Sequence, residues 1–456
     1  MPQIWRLSTE PYDFIQIIYR NMSDPIFEKT LTLGDAIRLS GPMAFNIMIK
    51  SAGSLCNLDC QYCYYLDKAE IYGGREPRMS EAMLEKVIKE YIDANEVPEV
   101  TFNWHGGEPL VIGIDFYRKA IEFEKKHAGN KVIHNTIQTN GTLINREWAK
   151  FFRENDFLVG ISLDGPKDIH DRYRKDKGGF PTFDRVMNGL NIIKGEGVEF
   201  NTMSTVNHAS EGRGLETYMF LRDVGSGFMQ FMPVVEHVRY PLNGAGKPDK
   251  KKRPFIVAPT ENGSVIAPWS VSDIGYGRFL CDIFDFWVRN DVGRIFVTNF
   301  EAALANWVGV MPGSCVFAQT CGGNSVIEHN GDLYPCDHFV YKDYLLGNIT
   351  EKPIAKMMRS DKQVAFGIDK RNKLPTRCLR CEWLFACNGE CPKHRFNSCE
   401  SGQKGRGGVR IEYGLNALCE GYRMFFSHVA PYMNTMKDLL AHQQPPSYVI
   451  PWARQR

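Results

Sequence analysis

From residue 44 to about 236 the chain alternates between short β-rich runs and longer stretches whose apolar residues return every three or four positions. The runs "AFNIMIK" (44–50), "EVTFNW" (99–104), "VIHNTIQ" (132–138), "FLVGISL" (157–163), "EFNTMSTV" (199–206) and "FMQFMP" (228–233) predict six strands. Helices are predicted over 80–94, 115–127, 145–154, 183–195 and 211–223. In "MSEAMLEKVIKEYI", Ser80 is placed to cap the N-terminus, and Glu81 puts negative charge in the first turn, where the helix dipole favours it. Met83, Leu84, Val87, Ile88, Tyr91 and Ile92 then share one apolar face. Six strands alternating with helices imply an α/β fold built on a parallel sheet or barrel.

The alternation stops at residues 241–270, where "NGAGKPDKKKRPFIVAPTENGS" is rich in Gly, Pro and Lys and reads as a surface insertion or linker with a solvated basic run. A helix is predicted at 278–291, "RFLCDIFDFWVRND", with Cys281 on its apolar side as a core residue. Residues 1–43 carry no motif that can be interpreted. No apolar run approaches the ~18 residues that span a bilayer. The N-terminus "MPQIWRLSTEPYDFIQIIYR" lacks a basic region followed by an apolar one, so a cytoplasmic location is expected. With 55 basic and 53 acidic residues, the formal charge of +2 gives no general case for a nucleic-acid or membrane-surface partner.

In a reducing compartment the 13 cysteines read as metal ligands before disulfides. They are also clustered. Cys56, Cys60 and Cys63 form C-x3-C-x2-C in "SLCNLDCQYCYYLDK", Cys281 stands alone, and the rest lie between 315 and 419. Structural zinc takes four ligands, commonly as two pairs, and no second pair lies near the triplet. An iron–sulfur cluster held by three thiolates, with one iron left open for chemistry, suits the triplet better. The triplet follows the first predicted strand, at the end where β/α barrels carry their chemistry. After the second strand comes "WHGGEPL", in which Gly106 and Gly107 allow close backbone approach and Glu108 offers a carboxylate to an ammonium group. In the tail, Cys315, Cys321 and Cys336 precede the run C-x2-C-x5-C-x3-C-P of Cys378, Cys381, Cys387 and Cys391, and Cys399 and Cys419 follow. Zinc ribbons use C-x2-C pairs too, but eight grouped cysteines in a chain already suited to iron–sulfur favour clusters.

The triplet, its preceding aromatic Tyr62 and the Gly-Gly-Glu-Pro turn resemble the radical S-adenosylmethionine superfamily. The tail resembles the SPASM extension of its peptide-modifying members. That resemblance implies a partial (β/α)6 barrel of the radical SAM type, a C-terminal cysteine-rich SPASM domain and C-terminal helices. It divides the chain into an N-terminal extension (1–43), the barrel (44–240), an insertion and linker helix (241–300), the auxiliary-cluster domain (301–425) and a tail (426–456). "CNLDCQYCYYLDK", "GGEPL", "QTNGTLI", "ISLDGP", "YPCDHFV" and "CNGECPKHRF" are, in order and spacing, most similar to anaerobic sulfatase-maturating enzymes.

The resemblance implies three 4Fe–4S clusters. One is held by Cys56, Cys60 and Cys63, a second by Cys315, Cys321, Cys336 and Cys391, and a third by Cys378, Cys381, Cys387 and a last ligand. Cys399 or Cys419 can be that last ligand, and the helical context "LNALCEGYRMFF" favours Cys419. S-adenosylmethionine is expected at Tyr62, Gly107, Glu108, Ser162, Arg174 and Val235, the last through its backbone. Without the family, Arg174 in "HDRYRKDK" reads as a surface residue. Asp337, next to Cys336, corresponds to the family's proposed general base. His105 stands where the family often has Gln. The implied activity is oxidation of a Cys or Ser in an unfolded sulfatase segment, C/S-x-P/A-x-R, to formylglycine. An external electron donor such as flavodoxin or ferredoxin serves as partner. The alternatives are another SPASM maturase, forming a thioether or a quinone cofactor, and a non-catalytic iron–sulfur carrier or zinc scaffold, which would not cleave S-adenosylmethionine.

Overall fold

The computed structural model describes residues 43–456 apart from 73–76, 245, 251, 259–260, 262 and 406–407, so the N-terminal extension lies almost wholly outside the described residues. All six predicted strands are present: β1 (Asn46–Lys50), β2 (Glu99–His105), β3 (Val132–Thr139), β4 (Leu158–Ser162), β5 (Phe200–Val206) and β6 (Phe228–Pro233). They lie side by side in chain order and pair in parallel. Each crossover carries at least one helix, which is the partial barrel the alternation implies. The Glu81–Ala94 helix begins as expected, with the Ser80 hydroxyl accepting from the Met83 amide at 3.2 Å. It buries Leu84, Val87, Ile88, Tyr91 and Ile92, while Met83 is half-buried.

Period-two alternation divides the strands between two environments. On β2, Val100, Phe102 and Trp104 are buried in the main core, whereas Thr101, Asn103 and His105 face the other way and keep partial access to solvent. Thr136 and Gln138 do the same on β3, where Thr136 donates to Asn103 at 2.8 Å and Gln138 donates to Ser162 of β4 at 3.0 Å. The sheet therefore has one face sealed by helices and one lined by polar side chains at its C-terminal end.

The sheet does not stop at the barrel. β1 pairs in parallel with β11 (Asn324–Glu328), and β12 (Asp332–Tyr334) and β13 (Gly347–Asn348) extend it antiparallel. On the far side β10 (Phe296–Val297) adds to β6, giving ten strands. The cysteine-rich region is thus stitched directly to the first barrel strand.

The 241–270 segment, read from sequence as a surface insertion or linker, contains strands of its own. β7 (His237–Arg239), β8 (Phe255–Val257) and β9 (Val265–Ile266) form a small antiparallel sheet. It buries Val238, Ala267 and Trp269 against Leu58, Cys60, Tyr62 and Tyr173. Arg253 donates to Asp59 at 3.0 Å, and the Ile256 amide donates to Asp67 at 2.9 Å, so polar bonds pin the segment across the first cysteine loop. Lys250 and Lys252 are exposed, as a solvated run should be, and Lys251 lies outside the described residues.

The helix expected at 278–291 spans Asp273–Asn290, with Cys281 buried in its core face. It packs against the Cys419–Ala441 helix, which runs unbroken through the 425/426 division drawn from sequence. The two cross at glycines. A Cβ on Gly277 would lie 2.6 Å from Gly421 Cα, closer than real contacts permit. Gly277→Ala is expected to lower stability by roughly 1–3 kcal/mol through overpacking. Gly195→Ala, at an open helix end, should leave the melting midpoint near wild type. Equal midpoints for the two variants in thermal denaturation would contradict this packing.

Candidate active site

The first cysteine loop is held from below by the turn after β2. The Gly107 amide donates to Gly53 O at 2.7 Å, and the Glu108 amide donates to Leu55 O at 2.8 Å. A Cβ at Gly107 would sit 2.4 Å from Leu55 O, so the second glycine of "GGEP" is required by contact with the cysteine loop itself. Glu108 is fully buried. Its carboxylate accepts from the Leu110 amide (3.0 Å), the Thr139 hydroxyl (2.6 Å) and the Asn140 amide (2.7 Å), clamping the ends of β2 and β3 together. Burial pushes its pKa up to about 7, against the pull of those donors. Three of the carboxylate's four acceptor positions are thereby filled.

Cys56, Cys60 and Cys63 lie within electrostatic reach of one another. None of the thirteen cysteines forms a disulfide. Burial pushes the Cys56 thiol up to about 12, with Glu108 adding to it, so the protein alone keeps it protonated. Yet donors already face its sulfur, the Leu58 amide at 3.3 Å and Asn140 Nδ2 at 3.8 Å. Asn140 also donates to Asn57 at 2.9 Å, which donates to Thr142 at 2.8 Å. Buried sulfurs with N–H donors aimed at them suit thiolates bound to metal, since coordination removes the proton outright.

On the opposite side of the loop stands Asp164, in "ISLDGP", 1% exposed. It accepts from the Tyr62 hydroxyl at 2.5 Å and the Thr205 amide at 3.0 Å, and it pairs with Arg174 at 3.0 and 3.1 Å. Burial pushes this carboxyl up, but Arg174 and His170 overcome it and hold it below its usual range. Arg174 is buried, not the surface residue its local sequence suggests, and its guanidinium lies 5.6 Å from the Tyr62 ring centroid. Ser162 is the last residue of β4, and Val235 is buried two residues after the end of β6.

A second group meets the loop from the cysteine-rich region. Lys50, the last residue of β1, is fully buried opposite Glu328, the last residue of β11. Its ammonium lies 3.1 Å from His105 Nδ1, 4.0 Å from Asp337 Oδ2 and 4.1 Å from the Tyr65 ring centroid. The Gly106 amide also donates to His105 Nδ1, which places the ring proton on Nε2. Burial, with Lys50 beside it, takes His105 down to about 3 and keeps it neutral. Tyr64 donates to Asp337 Oδ2 at 2.5 Å, and Tyr65 donates to Glu328. Burial pushes the Asp337 carboxyl up, but His338, Lys50 and Tyr64 together hold it well below the usual range.

Donor atoms of Cys336, Asp337 and His338 fall within 4.8 Å of one another, and His338 Nδ1 lies 3.8 Å from Cys391 Sγ. Cys315, Cys321, Cys336 and Cys391 are electrostatic neighbours. Cys378, Cys381, Cys387 and Cys419 line a cavity of about 280 Å³ with Trp383 and Tyr422. Cys399 does not line it, but is buried beside Cys378 and Leu415 on β14 (Asn397–Gly405). The structure therefore gathers the cysteines other than Cys281 into three groups, with Cys399 packed beside Cys378 and Cys419 at the margin of the third. Lys50, Tyr64, Asn140 and Asp164 carried no role in the sequence reading. A lone Lys ending an apolar strand, and an Asp directly after strand four on the reactive face, were the signals available.

The half-barrel, the open triplet beside a Gly-Gly-Glu turn, and the two further thiol sets define a radical SAM enzyme with auxiliary iron–sulfur sites. Models of the radical SAM superfamily and of the SPASM iron–sulfur cluster-binding domain match residues 51–220 and 315–382. The chain is 46% identical to a serine-type anaerobic sulfatase-maturating enzyme of Bacteroides thetaiotaomicron, over 89% of this chain and 94% of that one. It is 32% identical to a cysteine-type anaerobic sulfatase-maturating enzyme of Clostridium novyi, over 88% and 99%. The solved structure of native anSMEcpe with bound AdoMet and Cp18Cys peptide superposes with a TM-score of 0.72 at 29% identity, covering 87% of this chain and 100% of that one. The protein belongs to the anaerobic sulfatase-maturating enzymes. Three 4Fe–4S clusters and S-adenosylmethionine are the cofactors this membership brings, and the donor sets fit them. Among the described residues no helix is long and apolar enough to cross a membrane.

Asp164→Asn leaves Arg174 buried without its counter-charge. It is expected to cost roughly 3–5 kcal/mol and to weaken S-adenosylmethionine binding. A variant with unchanged melting midpoint and unchanged binding by equilibrium dialysis would show that Asp164 does not organise this side of the loop.

Proposed function

We propose that this protein oxidises the reactive Ser or Cys of an unfolded sulfatase segment, C/S-x-P/A-x-R, to formylglycine at the polar C-terminal end of the barrel. The observation that carries the reading is the meeting of Asp337, from the cysteine-rich region, with Tyr64 of the first cysteine loop and Lys50 of β1. Cys56, Cys60 and Cys63 would hold the cluster that binds S-adenosylmethionine. Cys315, Cys321, Cys336 and Cys391 would hold the first auxiliary cluster, and Cys378, Cys381, Cys387 and Cys419 the second. The shared 280 Å³ cavity supports Cys419 over Cys399. When bound, these groups supply a 5′-deoxyadenosyl radical that takes a hydrogen atom from the substrate β-carbon, and an outlet for one further electron.

The chain's own residues do the rest. Tyr62 and Arg174, fixed by Asp164, and Gly107, Ser162 and the Val235 backbone would position S-adenosylmethionine. Glu108, through its remaining acceptor position, would take the methionine ammonium. Asp337 would receive the substrate's thiol or hydroxyl proton; Tyr64 donates to its Oδ2, and Cys336 Sγ lies 3.7 Å from its Oδ1. Loss of the β-hydrogen atom acidifies the attached thiol or hydroxyl and so readies it to give that proton to a carboxylate. Serine then gives the aldehyde directly, and cysteine gives a thioaldehyde that water hydrolyses. An electron carrier of the flavodoxin or ferredoxin kind would serve as the external partner.

Anaerobic incubation with S-adenosylmethionine, reductant and a Ser or Cys peptide of this motif tests the reading. The serine peptide should lose two hydrogen atoms by mass spectrometry and then react with a hydrazide. A product of that mass that is inert to hydrazide would mean a thioether or another cross-link, and would overturn it. Asp337→Asn should slow peptide oxidation roughly 10²–10⁴-fold with iron content unchanged. Wild-type turnover by that variant would remove Asp337 from the mechanism.

A further inference from the structure

Two cations sit among the auxiliary cysteine sets, Lys370 fully buried and Arg395 half-buried, and the mechanism uses neither. Lys370, on the Asp361–Asn372 helix, is 1% exposed. Its Nζ donates to the carbonyls of Cys315 (2.6 Å), Val316 (2.8 Å) and Ala318. Three acceptors match the three N–H bonds of an ammonium, and a neutral amine could serve only two of them. That bonding is an ammonium's, held against the burial that lowers the lysine's pKa, and it is seated under the loop that carries Cys315.

Arg395 is the second. Its Nε donates to Gly389 O (2.7 Å), its Nη2 to Asn388 O (2.9 Å) and Glu390 O (3.0 Å), and its Nη1 to Lys370 O. Asn388, Gly389 and Glu390 take φ of 48°, 69° and 52°, a left-handed turn that turns their carbonyls onto one guanidinium. That turn is the three-residue spacer between Cys387 and Cys391, which belong to different auxiliary sets. A Cβ on Gly389 would lie 2.6 Å from Arg395 Nη2, so turn and guanidinium are fitted to each other.

Among the described residues neither cation has a carboxylate within salt-bridge distance. The Glu390 carboxylate acts on Arg395 electrostatically but is bound to His394 Nδ1 (2.9 Å) and Asn416 Nδ2 (2.6 Å). Buried charge is costly unless something of opposite sign compensates it. Lys370 feels Arg395 and the thiols of Cys321, Cys315 and Cys391 electrostatically. Around Arg395 such thiols include Cys378, Cys391 and Cys387. A 4Fe–4S core carried by four thiolates is an anion in both oxidation states and more negative when reduced. It supplies the missing counter-charge.

We propose that Lys370 and Arg395 are built-in counter-charges that raise the reduction potentials of the auxiliary clusters, Lys370 at the Cys315 set and Arg395 at the turn joining both sets. A fixed cation favours the more negative, reduced state, and local charge and hydrogen bonding are the levers by which a protein sets such potentials. The inference rests on the ligand sets proposed above. Both residues are positioning residues that act through the clusters and do not touch substrate.

The test is a potentiometric titration of the anaerobically reconstituted full-length protein, followed by electron paramagnetic resonance, with iron measured in every sample. The signal that changes on adding S-adenosylmethionine serves as internal control. Wild type holding far fewer than about twelve irons would break the ligand sets themselves, separately from this inference. In loaded Lys370→Met and Lys370→Gln, an auxiliary midpoint should fall by a tenfold change in the oxidised-to-reduced ratio, about 59 mV for one electron, while the control signal stays in place. Lys370→Arg, which keeps the charge, should remain near wild type, and Arg395→Gln against Arg395→Lys should divide in the same way. Loading by Lys370→Arg but not by the two neutral variants would support the counter-charge as well. Unshifted midpoints in loaded neutral variants would overturn it, and so would Lys370→Arg behaving like them.

Discussion

Everything at the reactive end depends on the parallel pairing of β1 with β11. Asn46 to Lys50 run in register with Asn324 to Glu328, so two segments far apart in sequence finish side by side at the C-terminal edge of one sheet. The pairing buries Lys50 and Glu328 together. A buried ammonium is tolerable only with compensation, and here Asp337 faces it while Tyr65 is bound to Glu328. The cysteine triplet leaves β1 at this edge, and the turn from β11 into β12 lies beside it; Asp337, which follows β12, reaches to 4.0 Å from Lys50 Nζ. A slip of one residue in the register would send Lys50 to the opposite face of the sheet and dismantle the meeting.

Around that edge the molecule spends close contacts on rigidity. Gly107 lets the second βα turn touch the cysteine loop, Glu108 binds that turn to the end of β3, and Asp164 ties Tyr62, Arg174 and β5 together. The β7–β9 sheet covers the loop from outside with Trp269 and Val238. A site that must hold a reactive species gains from walls that do not move and from few routes for water. The polar inner face of β2 and β3 belongs to the same design, because those side chains have no core to enter.

Much of this was legible from sequence because it is local. Period-two and period-3.6 patterns locate the six strands and the Ser80-capped helix, and cysteine spacing separates the triplet from the tail. What was not legible depends on contacts distant along the chain. Nothing near Arg174 announces that Asp164 buries it, and nothing in "AFNIMIK" says that its final lysine will face Asp337. Glu108 was read as a free ligand for an ammonium, but most of its bonding capacity closes its own turn. The Gly-, Pro- and Lys-rich segment looked like a linker because two- and three-residue strands leave almost no periodic trace. Its role becomes visible only once Trp269 is seen packed against the cysteine loop.

Three separate thiol sets, the first following β1 and the other two in the cysteine-rich region, would hold three clusters of which only the first would do chemistry on S-adenosylmethionine. Iron analysis of the anaerobically reconstituted Cys56→Ala, Cys60→Ala, Cys63→Ala triple variant, paired with an assay for 5′-deoxyadenosine, tests it most directly. The expected result is retention of about eight of about twelve irons and complete loss of S-adenosylmethionine cleavage. Continued release of 5′-deoxyadenosine, or loss of iron from all three sets together, would contradict it.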